Sequence, residues 1–460
     1  MLDKTLISEI VGCTFTHDFA EIVLTQLGTE TPEVRKGPGT ISCDEDGRLK
    51  LKLFLTHDLD QQALIDRWNS PAAAGKLLER TDFFCLHATD YQGQVWTCEK
   101  LRPKDSVSMD TGSGTVTAVL SYIETTAETF FPIREHNLYI VVPFKPPIPY
   151  VMEERNGTYT RTKFTTTLSD ETMLSVLERE GYILIHAQAA SRPVDERLVL
   201  LAIEAMSIGT GESLRSAYKL TQSPDIEVTR LSWTDRQNRT IWGPFNRLEN
   251  TNEFKEFIQR YVRLCSETPN GYFGFWEKVL YAWHSGLSMA ALPLAVYIEG
   301  VVKELFPQLM TEEADVITAV ETMAKHMQLA AVDPEVIKRC VGAVKGVRDK
   351  SVPAALKRLA SEGWFDMALV RTWRDVRNKS THGNDMTPAQ GREEIQSVID
   401  GVLGCLYIFY VLLLARIKFE GEVVNYSAHD FPKVRLKPAQ ALSPAHLPIA
   451  NTTSSEGKAS

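Results

Sequence analysis

Two kinds of hydrophobic pattern divide the chain. In roughly the first half, short runs of β-branched and aromatic residues alternate with polar residues, a period of two that is typical of half-buried strands. From Asn252 onward, apolar residues recur every three to four positions, as they do in amphipathic helices. The change of period predicts an α+β multidomain protein, with an N-terminal antiparallel β-rich domain followed by a C-terminal all-α helical bundle.

Tight-turn signals between the N-terminal runs predict hairpins. Asp46-Gly47 separates the runs 40–43 and 48–53, and glycine supplies the positive φ angle that such a turn needs. Two more hairpins are predicted, 83–87 with 94–98 and 151–155 with 159–163. Further β-rich runs are 115–123, 138–142 and 182–187. A last strand pair is expected between 226–233 and 240–242. An antiparallel sheet follows from these runs.

Helical spacing first appears near Pro193 and dominates after Asn252. A helix containing Leu198 and Met206 is expected to stop at Gly209 and Gly211. The later candidates span about 253–265, 273–290, 292–306, 312–330, 334–348, 353–362, 364–381 and 388–418. The break at 268–271 predicts domains over 1–268 and 270–420, and the loss of pattern afterwards predicts a mostly disordered C-terminal tail over 421–460.

The longest apolar run, 402–415, is shorter than the roughly 20 residues that cross a bilayer. Because Arg416 and Lys418 follow it at once, we expect a buried helix and no membrane span. The start of the chain has acidic residues and no long apolar core, so it does not resemble a secretory signal.

Charge and cysteine content narrow the function classes. The formal net charge is -9, so the molecule as a whole does not attract a polyanion and any RNA contact must be local. Between Asp333 and Lys379 there are 11 Lys and Arg against 6 Asp and Glu. Seven cysteines without a CxxC pair predict a reduced, cytoplasmic protein.

No cofactor or metal site is predicted. Cys85, His87 and Cys98 are the nearest approach to a zinc ligand set, but a fourth ligand and the usual close cysteine pair are missing. Structural cysteines are the favoured interpretation.

The segment 364–383 is the most informative part of the sequence. On a helix, one stripe along it is apolar: Phe365, Leu369, Trp373 and Val376. The stripe roughly opposite is polar and mostly cationic: Arg371, Arg374, Asn378 and His382. Arg377 falls between the two, and Gly383 is expected to end the helix near His382, where the helix dipole favours a protonated imidazole.

These residue types suit RNA cleavage. RNA carries its own nucleophile, the 2′-hydroxyl, so a protein must supply proton transfer and stabilise charge on the phosphate, and a metal is optional. A histidine has an unperturbed pKa of about 6.5, which makes His382 the candidate general acid or base. The planar, permanently charged guanidinium of Arg377 fits phosphate oxygens, and Asn378 is a candidate hydrogen-bond donor to the same phosphate.

The run 377–383, Arg-Asn-Lys-Ser-Thr-His-Gly, resembles the RNxxxHG form of the Rx4–6H motif of HEPN domains. An upstream helix with Tyr297-Ile298-Glu299-Gly300 resembles the apolar helix of that family that carries an acidic residue, and the apolar helix 394–418 matches the one after the motif. The likeness covers about a third of the chain.

The β-rich part resembles, less specifically, the N-terminal region of ApeA-type anti-phage HEPN proteins. The residues that carry this resemblance are Gly39-Thr40-Ile41, Asp46-Gly47 and the helix 197–209.

The resemblance implies a metal-independent endoribonuclease effector of the anti-phage, abortive-infection or toxin type, with tRNA among its plausible substrates. It implies 2′,3′-cyclic phosphate and 5′-hydroxyl ends, a homodimer that shares the site, and a phage-derived protein or other trigger at the N-terminal domain. The site residues are then Arg377 and His382 as catalytic, Asn378, Glu299 and Arg374 as supporting, and Arg371 and Lys379 as RNA-binding.

Several alternatives stay open at this point. The motif could be an ordinary surface helix end, or belong to a non-catalytic HEPN dimer that binds RNA, nucleotide or protein. Glu299, in mid-helix among apolar neighbours, is more consistent with a hydrogen-bond partner than with a catalytic acid. The apolar stripe beside Arg377 could pack within one chain against 402–415 or meet a second copy.

Overall fold

The computed structural model describes residues 2–56, 77–107, 114–128, 135–155, 158–169, 171–234, 239–245, 251–310, 314–329, 333–345, 351–381 and 392–436. The chain divides into two compact units, Met1–Pro269 and Asn270–Ser460. The division falls within the break at 268–271 that the sequence marks.

The first unit is a large antiparallel sheet with three flanking helices among its described residues. Its strands are β1 (Thr16–Gln26), β2 (Val34–Cys43), β3 (Leu49–Phe54), β4 (Phe84–Asp90), β5 (Val95–Leu101), β6 (Lys104–Val107), β7 (Gly114–Leu120), β8 (Tyr122–Glu128), β9 (His136–Val142), β10 (Val151–Arg155), β11 (Thr158–Thr167), β12 (Met173–Arg179), β13 (Tyr182–Ala189), β14 (Tyr218–Gln222) and β15 (Ile226–Ser232). They lie in the order β10-β11-β12-β13-β9-β14-β15-β8-β5-β4-β1-β2-β3-β7-β6.

The hairpins of this sheet follow from their turns. Asp46-Gly47 joins β2 to β3 with Gly47 at φ 80°, and Gly93 at φ 86° joins β4 to β5. The expected last strand pair is wrong: β15 pairs with β14 and β8, while Thr240 forms only an isolated bridge with Glu212. Both edges of β15 are occupied by β14 and β8, so it has no edge left for a pairing with Thr240.

The helices α1 (Lys4–Val11), α2 (Glu196–Thr210) and α3 (Thr251–Glu267) belong to this unit. Ile7 and Ile10 of α1 join the sheet's hydrophobic core. The helix α2 begins at its N-cap Asp195 and continues through Gly209 to Gly211, where φ is 77° and a Cβ would lie 1.9 Å from the Ile241 carbonyl oxygen. Gly211 is therefore the stop, and Gly209 is not.

The second unit is helical. Its elements are α4 (Tyr272–His284), α5 (Leu287–Leu305), α6 (Pro307–Met310), α7 (Ala314–Gln328), α8 (Pro334–Lys345), α9 (Val352–Ser361), α10 (Met367–Thr381) and α11 (Arg392–Arg416), followed by the strands β16 (Glu422–Val424) and β17 (Lys433–Arg435). The predicted helix 273–290 is in fact two, because the chain turns at Ser285 and Gly286, with Gly286 at φ 121°. The helix predicted over 292–306 accordingly begins earlier, at Leu287, and the short α6 was not predicted. The other helices match the prediction to within a few residues.

The long helix α11 forms the centre of this unit. The segment Ile395–Arg416 is long and apolar enough to cross a membrane by composition, but 83% of its most apolar window is buried inside the chain. Its flanks include α5 and α10, and the Tyr272 hydroxyl on α4 donates a hydrogen bond to the Phe409 carbonyl at 3.1 Å. The helix has the burial of a core helix, as the sequence predicted.

The expectation of a mostly disordered tail from residue 421 is wrong for its first part. Residues 422–435 form the β16–β17 hairpin, in which Val423, Val424 and Tyr426 are buried. A three-residue strand is too short to show a clear alternation, which is why the pattern was missed. The rest of the predicted tail, from 437 onward, lies outside the described residues.

Candidate nucleic-acid site

The helix α10, which carries most of the candidate residues, has a well-defined start. Gly363 has φ 86°, and the Asp366 carboxylate accepts a hydrogen bond from the Ala368 amide at 2.7 Å. An aspartate in this position satisfies one of the amides that a helix start leaves without a partner. The four residues of the predicted apolar stripe are all buried: Phe365, Leu369, Trp373 and Val376.

The stripe is buried within one chain. The Trp373 indole donates a hydrogen bond to the Ala295 carbonyl on α5 at 3.0 Å. On the other side, α11 presents two glycines: a Cβ on Gly401 would lie 2.9 Å from Val376 Cγ2, and one on Gly404 would lie 3.4 Å from Leu369 Cδ2. These glycines let α10 and α11 approach closely. The stripe therefore packs internally, and it does not offer an apolar face to a second copy.

One turn beyond Trp373, Arg377 is tied to the same neighbouring helix. Its Nε donates a hydrogen bond to Glu299 Oε1 on α5. The arginine side chain is 41% exposed and that of the glutamate is 20% exposed. Glu299 thus lies half-buried as a hydrogen-bond and charge partner, the role that its mid-helix position favoured.

A groove of about 520 Å³ opens beside this pair. Its lining combines cationic, polar and apolar side chains: Glu299, Lys303, Met310, Ser351, Val352, Pro353, Trp373, Arg374, Arg377 and Asn378. The three cationic side chains outnumber the single carboxylate. The groove is therefore locally positive in a chain of net charge -9, which is what a phosphate-binding surface on an acidic protein requires.

Four of the predicted site residues line this groove: Glu299, Arg374, Arg377 and Asn378. Lys303 and Ser351 were missed. Lys303 follows Glu299 by four residues, so helical spacing on α5 was a usable signal for it. Ser351 comes from the start of α9, which sequence spacing does not relate to α10.

The two predicted RNA-binding residues lie elsewhere on α10. Arg371 is exposed but does not line the groove. Lys379 lines a different cavity, next to α11, together with Asp375, Glu393 and Asp400. Because that cavity holds three carboxylates, the cationic surface is narrower than the sequence suggested.

His382 lies outside the described residues, as does Gly383. In the sequence it follows Thr381, the last residue of α10.

Within the described parts of the chain, no group of three His, Cys, Asp or Glu side chains could hold a metal ion. Cys98 pairs with Leu86 across β5 and β4, so alternation places it on the opposite sheet face from Cys85 and His87. Cys98 is buried, and burial raises the pKa of its thiol. The three side chains do not form a zinc ligand set.

Comparisons of the chain with protein-family models, with curated proteins and with solved structures gave no match.

Proposed function

We propose that the helical unit is a HEPN-type endoribonuclease that cuts RNA through Arg377 and His382. The observation that carries the proposal is the Arg377–Glu299 pair at the rim of a cationic groove. A half-exposed guanidinium held in place by a partner on another helix is oriented before substrate arrives. Asn378 lies beside it in the same groove, and His382 follows five residues after Arg377 in sequence.

The proposed reaction is an internal transfer at phosphorus. A neutral imidazole takes the proton of the 2′-hydroxyl, the 2′-oxygen bonds to phosphorus, and the bond to the 5′-oxygen breaks. A protonated imidazole donates the proton that the leaving 5′-oxygen takes up. Arg377 stabilises the charge that develops on the phosphate oxygens. The products are a 2′,3′-cyclic phosphate and a 5′-hydroxyl.

This reaction needs two imidazoles if the base and the acid act in the same step. Each chain has a single Arg377-to-His382 motif. A homodimer supplies the second. The surface that we propose for it is an exposed stripe on α5, formed by Met289, Leu292 and Val296, whose side chains are 62%, 39% and 44% exposed.

This stripe continues directly into the site. At 100° per residue, the stripe residues share an arc of about 80° with Glu299 and Lys303, which line the groove. A two-fold interface is self-complementary, so α5 packed against its copy buries the apolar residues of both chains. The second copy is the favoured occupant because the same contact brings its own groove, with its own Arg377, next to the first.

The N-terminal sheet unit is proposed as the sensing or regulatory part. An unrestrained ribonuclease harms its own cell, so restraint until a phage-derived protein or another trigger arrives fits an abortive-infection role. The support for a separate regulatory part is that the sheet is a compact unit with its own hydrophobic core.

The alternative is a HEPN dimer that binds RNA, nucleotide or a partner protein without cleavage. One observation favours it: the Glu299 carboxylate offsets part of the charge that Arg377 offers to a phosphate. Binding alone tolerates that offset better than transition-state stabilisation does.

Incubation of total cellular RNA with wild-type protein and with His382→Ala separates the two functions. The ribonuclease proposal predicts fragments with wild type and none above background with the variant, while both proteins bind RNA. His284→Ala is the matched control, because His284 is exposed at the end of α4 and does not line the groove. Equal binding without fragments from wild type would favour the binding module.

A further inference from the structure

The groove beside Arg377 has two chemically different walls. One is apolar and is built by Met310 at the end of α6 with Val352 and Pro353 at the start of α9. Met310 and Pro353 are half-buried, and Val352 is 6% exposed. Trp373 also lines the groove; its side chain is 1% exposed and donates a hydrogen bond to the Ala295 carbonyl.

The other wall is cationic. Lys303 and Arg374 are exposed, and Arg377 is half-exposed, so their charges face water at the rim of the groove. Against the one carboxylate of Glu299 they leave a local excess of two positive charges. Such a rim attracts a phosphate. A phosphate by itself gains no binding free energy from contact with the apolar wall.

We infer that this groove is a pocket for one nucleotide, with the phosphate on the Arg374–Arg377 rim and the base against Met310 and Pro353. A flat base gains by covering aliphatic side chains in the way that apolar ligand groups do. The volume of about 520 Å³ lies within the range of pockets that hold small organic ligands, roughly 300 to 1,000 Å³.

The same wall sets the expected specificity. Aliphatic side chains present no pattern of donors and acceptors to the edge of a base, and Ser351, which precedes Val352 and Pro353, adds one hydroxyl to the described lining of the groove. Recognition by contact area favours the larger purines modestly and discriminates weakly within each class. The inference deepens the proposed function by naming a base subsite next to the reacting phosphate, but it concerns binding and does not require cleavage.

Calorimetric titration of the full-length protein tests it with three ligands: adenosine 3′-monophosphate, adenosine and inorganic phosphate. A two-walled pocket predicts that the nucleotide binds at least tenfold more tightly than either of its parts. Pro353→Glu places a carboxylate in the apolar wall and should weaken nucleotide binding tenfold or more. Glutamate is favourable in the first turn of a helix, so this change is compatible with folding.

Pro334→Glu is the matched control, because Pro334 also begins a helix, is exposed and does not line the groove. For the rim, Arg374→Gln should weaken binding severalfold, while Arg371→Gln, on the same helix outside the groove, should not. Unchanged thermal unfolding of the variants verifies the fold.

The outcomes separate this inference from the ribonuclease proposal. Nucleotide binding that is lost in Pro353→Glu supports the pocket even if no RNA is ever cut. Phosphate binding as tight as nucleotide binding, or nucleotide binding unaffected by Pro353→Glu, would overturn the pocket even if RNA cleavage is found. Absence of nucleotide binding by wild type would overturn it as well.

Discussion

Glu299 accepts a hydrogen bond from Arg377 about one helical turn beyond the point where Ala295 accepts one from Trp373. The two contacts are four residues apart on both α5 and α10, so the helices run side by side in the same direction here. The buried indole fixes the spacing of the helices, and the guanidinium meets its carboxylate because of that spacing. The orientation of Arg377 therefore depends on core packing as well as on charge.

Replacing Glu299 should separate orientation from charge. Glu299→Gln keeps an acceptor for the Arg377 Nε but removes the negative charge, so RNA should bind more tightly while kcat changes little. Glu299→Ala leaves Arg377 without this partner, and kcat should fall about tenfold or more, in line with the loss of an oriented phosphate contact. Steady-state kinetics on a defined RNA, with kcat and KM resolved, is the measurement. Equal kcat values for all three proteins would show that the pair does not position Arg377.

The close approach of α10 and α11 gives a second prediction. Gly401→Ala puts a methyl group 2.9 Å from Val376 Cγ2, next to Arg377 in sequence. Overpacking of this kind costs about 1–3 kcal/mol, and a shifted α10 should lower cleavage as well. Chemical denaturation measures the stability change.

Gly342→Ala is the control for that substitution. Gly342 lies inside α8, and a Cβ there meets nothing within 4 Å. Alanine should stabilise that helix by up to about 1 kcal/mol, because glycine is the poorer helix former. If both alanine variants behave alike, the glycine contact with Val376 does not constrain the helix.

The α5 stripe predicts how the active unit assembles. Wild type should sediment as a dimer at micromolar concentration, and Val296→Glu should produce monomers with little activity, because a charge in an apolar self-interface lacks a partner. Met323→Glu is the control, since Met323 is 54% exposed and lies on a different helix, α7. A fully active wild-type monomer would contradict the shared site.

The stability of the sheet unit should depend on pH through Asp90, whatever the function of the helical unit. Burial by itself raises the pKa of Asp90, but hydrogen bonds from the Gln94 and Gln92 amides and from His17 outweigh it and leave the pKa below the usual 3.8. A lowered folded-state pKa stabilises the fold above the unfolded value, and this contribution is lost as pH falls through the folded value. Asp90→Asn should therefore be less stable than wild type near neutral pH, and the difference should shrink in acid. Urea unfolding of both proteins from neutral to acidic pH measures this difference in stability.

Most of the fold was predictable because it depends on local pattern. Asp46-Gly47 predicted the β2–β3 hairpin, and the three-to-four spacing after Asn252 predicted the helical unit. The order of strands was not predictable, since it depends on which distant edges pair. The hairpin around Val423 was missed because its strands are only three residues long.

The site was predictable to the extent that one helix carries it. Spacing along α10 predicted the buried stripe and placed Arg377 at its border. It did not predict that Lys379 faces an acidic cavity or that Pro353 forms a wall beside Arg374, because those neighbours come from helices far away in sequence. Glu299 was a candidate only through the resemblance to the HEPN family, and its hydrogen bond with Arg377 was not predicted.

Analysis of the ends of RNA fragments made in excess EDTA tests whether Arg377 and His382 cut RNA without a metal. Wild-type protein should cut RNA without divalent ions and leave 2′,3′-cyclic phosphate and 5′-hydroxyl ends, and both Arg377→Ala and His382→Ala should lose at least two orders of magnitude of that activity. Fragments that carry 5′-phosphates, cleavage that returns only with added divalent ions, or full activity in either variant would contradict metal-free cleavage through these two residues.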